Sequence, residues 1–156
     1  MYWRRLVTSP LIDVRNLSVR LTLAEESFLP VEEVCLQVQP GETVCLVGES
    51  GCGKSLFAHS LLSLLPTPGG EVVEGAIYFQ GRDLLKQSRA EWSDTRGGKI
   101  GMVFQDPLSS LNPVYSAGEQ IGEVMRRHLG VDRRTARQAA ITLLGQLGIA
   151  NPEQVA

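Results

Sequence analysis

The sequence has no run of roughly 18 apolar residues, the least a membrane-spanning helix needs. Its longest uncharged apolar segment, Ser55 to Leu65, already contains His59, Ser60 and Ser63 and stops at Pro66. The N-terminal Met1-Tyr2-Trp3-Arg4-Arg5 is basic, but Pro10 and Asp13 interrupt the apolar residues behind it, which is not the pattern of a secretory signal. Cysteine is sparse. Cys35, Cys45 and Cys52 lie ten and seven residues apart, with no CxxC and no matching His pair, so reduced thiols are expected and a zinc site is not. Excess charge is also missing: 15 Lys+Arg against 17 Asp+Glu leave a net −2, and nothing electrostatic argues for nucleic acid as partner. What remains is an ordinary folding composition, 43% apolar and 21% charged over 156 residues, enough for one domain or for one and a fragment of another.

The patterning is mixed. Leu11 to Leu23 reads as a strand, with Ile12, Val14, Leu17, Val19, Leu21 and Leu23 apolar. Val31 to Gln39 alternates again and turns at Pro40-Gly41. Thr43-Val44-Cys45-Leu46-Val47 is a short continuous apolar run of the kind that fills a buried strand. Lys54 to Leu65 predicts a helix ended by Pro66. Val72 to Phe79 is another strand, Gln80-Gly81-Arg82-Asp83 a turn into a short polar segment, and Lys99 to Phe104 a further strand-like run.

The last third predicts helices. Ser116-Ala117-Gly118-Glu119 has the form of a capping box, followed by Ile121, Val124, Met125 and Leu129 at helical spacing and Gly130 as terminator. Asp132 would cap the next helix, where Ala136, Ala139, Ala140, Leu143, Leu144 and Leu147 share a face before Gly148.

Gly48-Glu49-Ser50-Gly51-Cys52-Gly53-Lys54-Ser55 satisfies G-x-x-x-x-G-K-[ST] between a predicted strand and a predicted helix. A triphosphate is densely negative, and backbone N–H groups must surround it at close range. Gly48, Gly51 and Gly53 let the chain curl without Cβ clashes and aim successive amides inward. Lys54 would reach the β- and γ-phosphates, and the Ser55 hydroxyl would take a place on Mg²⁺. Chance would produce the pattern in roughly one chain in two hundred of this length.

Together with Ile100-Gly101-Met102-Val103-Phe104-Gln105-Asp106-Pro107, this loop resembles the Walker A and Q-loop pair of ABC transporter ATPases. Leu108-Ser109-Ser110-Leu111-Asn112-Pro113-Val114 and Gly118-Glu119-Gln120-Ile121 are similar to the dipeptide, oligopeptide and nickel importer branch. The resemblance implies an α/β P-loop NTPase core, incomplete, with the start of the helical subdomain. Residues 1–104 would be the front part of the nucleotide-binding core, and 105–156 the Q-loop and the beginning of the helical subdomain. It implies ATP and Mg²⁺ as cofactors, the metal held by Ser55 and Gln105. It also implies permease subunits and a second ATPase subunit as partners, at the cytoplasmic face of the membrane. Asn112 and Pro113 are expected to shape a turn rather than to touch ligand.

The family's LSGGQ-type signature, Walker B Asp-Glu and switch histidine are not found in these residues. Leu143-Leu144-Gly145-Gln146 lacks the Ser-Gly-Gly core, and Leu21-Thr22-Leu23-Ala24-Glu25-Glu26 lacks the Asp and precedes Walker A. His59 and His128 fall inside predicted helices and read as packing or surface histidines. Catalytic residues thus remain unassigned, and the chain reads as the front half of an ATPase domain. The alternatives are a truncated nucleotide-binding module without hydrolysis, or another small P-loop NTPase such as a nucleotide kinase. The base-stacking position of the resemblance falls at Leu21, with Phe28 the nearest aromatic. Arg126, Arg127, Arg133, Arg134 and Arg137 read as solvated helix faces.

Overall fold

The computed structural model describes residues 9–106 and 110–156. Trp3 with the rest of the basic N-terminus, and Pro107, Leu108 and Ser109 after Gln105, lie outside the described residues. The chain divides into two compact units, Met1–Ser88 and Arg89–Ala156.

The first unit is built on a four-stranded antiparallel sheet in the order β2-β1-β3-β4. Its strands are β1 (Ile12–Leu23), β2 (Glu26–Val38), β3 (Gly70–Phe79) and the two-residue β4 (Arg82–Asp83). β1 and β2 are joined by the two-residue turn Ala24-Glu25, with Leu23 opposite Glu26. Ala24 holds a positive φ of 56°, as tight hairpin turns require. The apolar alternation of β1 skips a beat between Val14 and Leu17, and a register irregularity lies there against both neighbours. It keeps Val14, Leu17 and Val19 all buried. Gly75 of β3 faces it, where a Cβ would come within 2.5 Å of the Arg15 and Asn16 carbonyl oxygens. No larger residue fits. Val31 and Ile77 complete the buried part of the sheet, and Phe57 of helix α1 (Lys54–Ser60) is buried with them.

Two expectations fail in this unit. Thr43–Val47 forms no strand, and Val47 is 89% exposed. A strand exists only through hydrogen bonds to a neighbour, and among the described residues none pairs with this segment. The helix expected over Lys54–Leu65 stops at Ser60. There the Ser60 hydroxyl donates back to the Phe57 carbonyl at 2.6 Å, and Leu64 N–H closes a wide turn onto the His59 carbonyl at 2.9 Å. Ser63 takes a positive φ of 51°. Helix breaking thus sets in ahead of Pro66.

The second unit is helical: α2 (Arg89–Thr95), α3 (Ala117–Leu129), α4 (Arg133–Gln146) and α5 (Pro152–Val155). The segment after Asp83, expected to be merely polar, contains the buried Leu84 in a 3-10 turn and leads into α2, whose Trp92 and Thr95 are buried. Lys99–Phe104 forms no strand; only an isolated parallel bridge joins Arg96 and Ile100, and Val103 is 89% exposed. The reason is again the lack of a pairing neighbour among the described residues. The caps are as the sequence indicates. Ser116 accepts from Glu119 N–H at 3.1 Å, Asp132 from the Arg134 and Thr135 N–H groups, and Gly130 is left-handed. The capping box is not closed, however, because the Glu119 carboxylate turns to Arg133 at 2.8 Å.

The buried face of α3 is Gly118 and Gly122, while Val124 and Leu129 of the expected stripe are exposed. The stripe of α4 narrows to Ala136, Ala140 and Leu144 at i, i+4 and i+8, leaving Leu143 and Leu147 outside. Small residues on both helices let the backbones approach closely: a Cβ at Gly122 would sit 3.6 Å from that of Ala136. His128 is a packing histidine, as expected. Its ring lies 2.7 Å from where a Gly98 Cβ would be, while Arg127 donates to Ser93 Oγ at 2.7 Å and pairs with Asp94.

Candidate nucleotide-binding site

Residues Gly48 to Gly53 form a loop, exposed up to the half-buried Gly53, that runs into α1 at Lys54 and Ser55. Two glycines in it take left-handed conformations, Gly51 at φ 83° and Gly53 at φ 89°. At Gly53 the requirement is double. A Cβ there would lie 2.3 Å from the Pro30 carbonyl oxygen and 3.4 Å from Val31 Cγ2, so the loop rests with bare backbone on β2. The first intrahelical bond, Phe57 N–H to the Gly53 carbonyl at 2.8 Å, starts the helix at that point.

Lys54 closes the loop from within. Its ammonium donates to the Gly48 carbonyl at 2.8 Å, the Glu49 carbonyl at 2.6 Å and the Cys52 sulfur at 3.3 Å. Ser55 follows on the first helical turn and is exposed. An ammonium at the centre of a ring of backbone, a hydroxyl beside it, and a glycine hinge no side chain can enter suit a magnesium–phosphate group. Between the loop and β2 lies a cavity of about 260 Å³, reached by Val31, Leu36, Leu46, Cys52, Lys54 and Phe57. It borders the segment that forms no strand.

The two positions considered for the base are one place. Leu21 and Phe28 are direct partners across the β1–β2 hairpin, and Val19 pairs with Val31 on the same strands. A register irregularity separates these two pairs, with Phe28 three residues before Val31 on β2, so Phe28 lies on the strand on which Gly53 rests, close to that contact. Phe28 is 47% exposed. The sequence carried a usable signal for this pairing: a two-residue turn at Ala24-Glu25 sets Leu23 opposite Glu26 and therefore Leu21 opposite Phe28.

Gln105 lies in the second unit, exposed in a bend after Phe104. Beyond it Asn112 shapes a turn as expected, accepting Val114 N–H on its side-chain oxygen at 3.0 Å. Sequence reasoning missed the clamp on that turn. Gln120 of α3 accepts Asn112 N–H at 2.9 Å and donates to the Asn112 and Tyr115 carbonyls at 3.0 and 3.1 Å. Among the described residues no group of three or more His, Cys, Asp or Glu side chains is placed to hold a metal by itself.

The dimeric structure of MJ0796, a bacterial ABC transporter cassette, superposes with a TM-score of 0.74 at 24% identity, covering 90% of this chain and 58% of that one. The same cassette in a post-hydrolysis state bound to ADP and Pi gives 0.69, also at 24% identity, covering 86% of this chain and 57% of that one. These likenesses establish a partial ABC ATPase fold. In sequence the chain is 42% identical to a peptidoglycan transport ATP-binding protein of Agrobacterium fabrum, over 94% of its length and 27% of the relative's. It is 38% identical to an oligopeptide transport ATP-binding protein of Bacillus subtilis, over 94% of this chain and 45% of that one. A dipeptide transport ATP-binding protein of the same organism is also 38% identical, over 90% and 42%. The chain thus spans less than half the length of these three relatives. Residues 31–156 match the ABC transporter family, and the chain belongs to it.

Proposed function

We propose that this chain is the nucleotide-binding part of an ATP-binding subunit of an importer for peptides or nickel. Peptides are favoured, because two of the three relatives described carry di- or oligopeptide transport in their names. The observation that carries the reading is the Lys54 ammonium ringed by the loop backbone above a Gly53 that cannot bear a side chain. On this reading Gly48 to Lys54 cradle the phosphates of ATP, and Ser55 and Gln105 ligate Mg²⁺. Phe28, backed by Leu21, is the platform for adenine. Residues 1–104 belong to the nucleotide-binding core, and 105–156 lead into the helical subdomain. Permease subunits and a second ATPase subunit would hold the protein at the cytoplasmic face of the inner membrane, and nucleic acid has no part in it.

Binding and hydrolysis separate here. Lys54, Ser55 and Gln105 can hold Mg-ATP, but we read no LSGGQ-type segment, no strand ending in Asp-Glu and no switch histidine in these 156 residues. Binding that does not favour the transition state leaves the chemistry unaccelerated. The polypeptide of these residues alone is therefore expected to release phosphate from ATP no faster than buffer does.

The test is Mg-nucleotide binding by calorimetry. Lys54→Ala should weaken ATP-analogue binding about 100-fold with an unchanged far-UV spectrum. Phe28→Ala should cost ATP about tenfold and leave pyrophosphate binding unaltered, since stacking acts on the base alone. Wild-type affinity in Lys54→Ala would remove the loop as the site. A steady phosphate release that Lys54→Ala abolishes would mean that some carboxylate of this chain activates water.

A further inference from the structure

Arg127, Arg133, Arg134 and Arg137 are exposed, as the sequence indicates, yet four arginines of the last third share one cleft. In the second unit, α3 and α4 border an open cleft of about 490 Å³ with Arg126, Arg133, Arg134 and Arg137 on its walls and the buried Gly118 and Gly122 at its floor. The one acidic side chain in the lining is Glu119, which Arg133 holds at 2.8 Å, and Ala156 packs against Gly118 at the floor. Among the described residues Arg126, Arg134 and Arg137 have no acidic side chain within ion-pair distance. The neighbouring Asp132 is turned onto α4 itself, accepting from the Arg134 and Thr135 N–H groups and the Thr135 hydroxyl.

The floor explains how the charges converge. A Cβ at Gly122 would lie 3.4 Å from Arg126 Nη1, so that guanidinium folds back one helical turn over bare backbone. Guanidiniums gathered without partners repel one another, and an anion entering between them reverses the sign of that interaction. Their planar forks match the paired oxygens of a phosphate, and the cleft volume suits a small molecule rather than a single ion.

We propose that this cleft is a second anion site, separate from loop 48–55, that takes a phosphate-bearing group of at least two negative charges, either a soluble diphosphate or an anionic lipid headgroup. The assay uses the Lys54→Ala chain, so that phosphate binding at loop 48–55 is weakened about 100-fold. One arm titrates inorganic pyrophosphate by calorimetry; the other sediments the protein with phosphatidylglycerol vesicles against phosphatidylcholine vesicles. Arg126→Gln/Arg134→Gln/Arg137→Gln should weaken the observed binding about tenfold or more. Arg82→Gln/Arg89→Gln/Lys99→Gln, which removes the same charge elsewhere, should stay within about twofold. The three cleft substitutions remove no described hydrogen bond, and circular dichroism checks that the helices persist. Binding to pyrophosphate identifies a soluble ligand, and binding to phosphatidylglycerol alone a headgroup. Absence of binding in both arms, or an equal loss in both triple variants, overturns the proposal.

Discussion

β1 and the segment Thr43–Val47 are written in the same alphabet, rich in valine and leucine, yet one is the centre of a sheet and the other pairs with nothing described. The difference lies in where partners come from. β1 meets β2 across a two-residue turn, so its first row of hydrogen bonds is supplied by nearby sequence, and β3 adds a second row in antiparallel register onto the hairpin already formed. A segment leading into a phosphate loop and a helix takes parallel neighbours through crossovers, which are long-range. Apolar content therefore marks a segment able to be a strand, and the neighbour decides whether it is one. Lys99–Phe104 repeats the lesson in the other unit.

The sharpest way to break this comparison is to truncate one residue in each region. Ile77 is fully buried opposite Val14, and Ile77→Ala should cost the first unit about 2–5 kcal/mol in urea denaturation. Val47, at 89% exposure, should cost within about 0.5 kcal/mol as Val47→Ala. A loss of 2 kcal/mol or more at Val47, judged against that bound, would mean that the segment is packed as a strand in solution.

The loop that follows is where local chemistry suffices. Gly53→Ala meets both a left-handed backbone and the Pro30 carbonyl, so about 2–3 kcal/mol of strain is expected, together with weakened nucleotide binding. Gly51→Ala has the same handedness but open space around it, and should cost only about 1 kcal/mol. Equal effects at the two glycines would show that the loop does not rest on β2. In the second unit Ala140→Leu should overpack the α3–α4 contact by about 1–3 kcal/mol, whereas Leu147→Ala, on the same sequence stripe but exposed, should be nearly neutral.

These pairs also mark how far the sequence could be read. The loop 48–55, the Ser116 and Asp132 caps and the left-handed Gly130 and Gly148 are local, set by residues within one turn of each other, and they were legible. The side of α3 that is buried was not. Hydrophobicity pointed to Val124 and Leu129, but close helix approach selected Gly118 and Gly122, which carry no apolar signal at all. Glu119 was drawn from its own helix cap to Arg133, and Gln120 was recruited to a turn eight residues back, both through contacts that spacing alone does not reveal. At the candidate site the loop and the Leu21–Phe28 pair follow from short-range geometry, while the arginine cleft needed two helices brought together.

The smallest effect concerns the central strand, where β1 carries the buried Asp13 between β2 and β3. Arg15 donates to the Asp13 carboxylate at 2.8 and 2.6 Å and holds its pKa below the ordinary value; burial opposes this, and Gln37 assists with a bond at 3.1 Å. Arg15 also lies over the Tyr78 ring, 4.8 Å from its centroid, so the pair ties all three long strands together. Because the folded carboxyl is the stronger acid, the unfolded chain binds more protons as the pH falls below about 5. The contribution to stability is complete above the unfolded pKa of about 3.9 and is lost as the pH drops through the lower folded value. Arg15 is mostly solvent-exposed, and water screens the pair, which keeps the stabilisation small. Asp13→Asn should therefore lower the urea midpoint at pH 7 and match the wild type at the acid end of the titration. Parallel curves for the two proteins from neutral pH to about pH 2.5 would show that the Asp13–Arg15 pair contributes nothing that titrates.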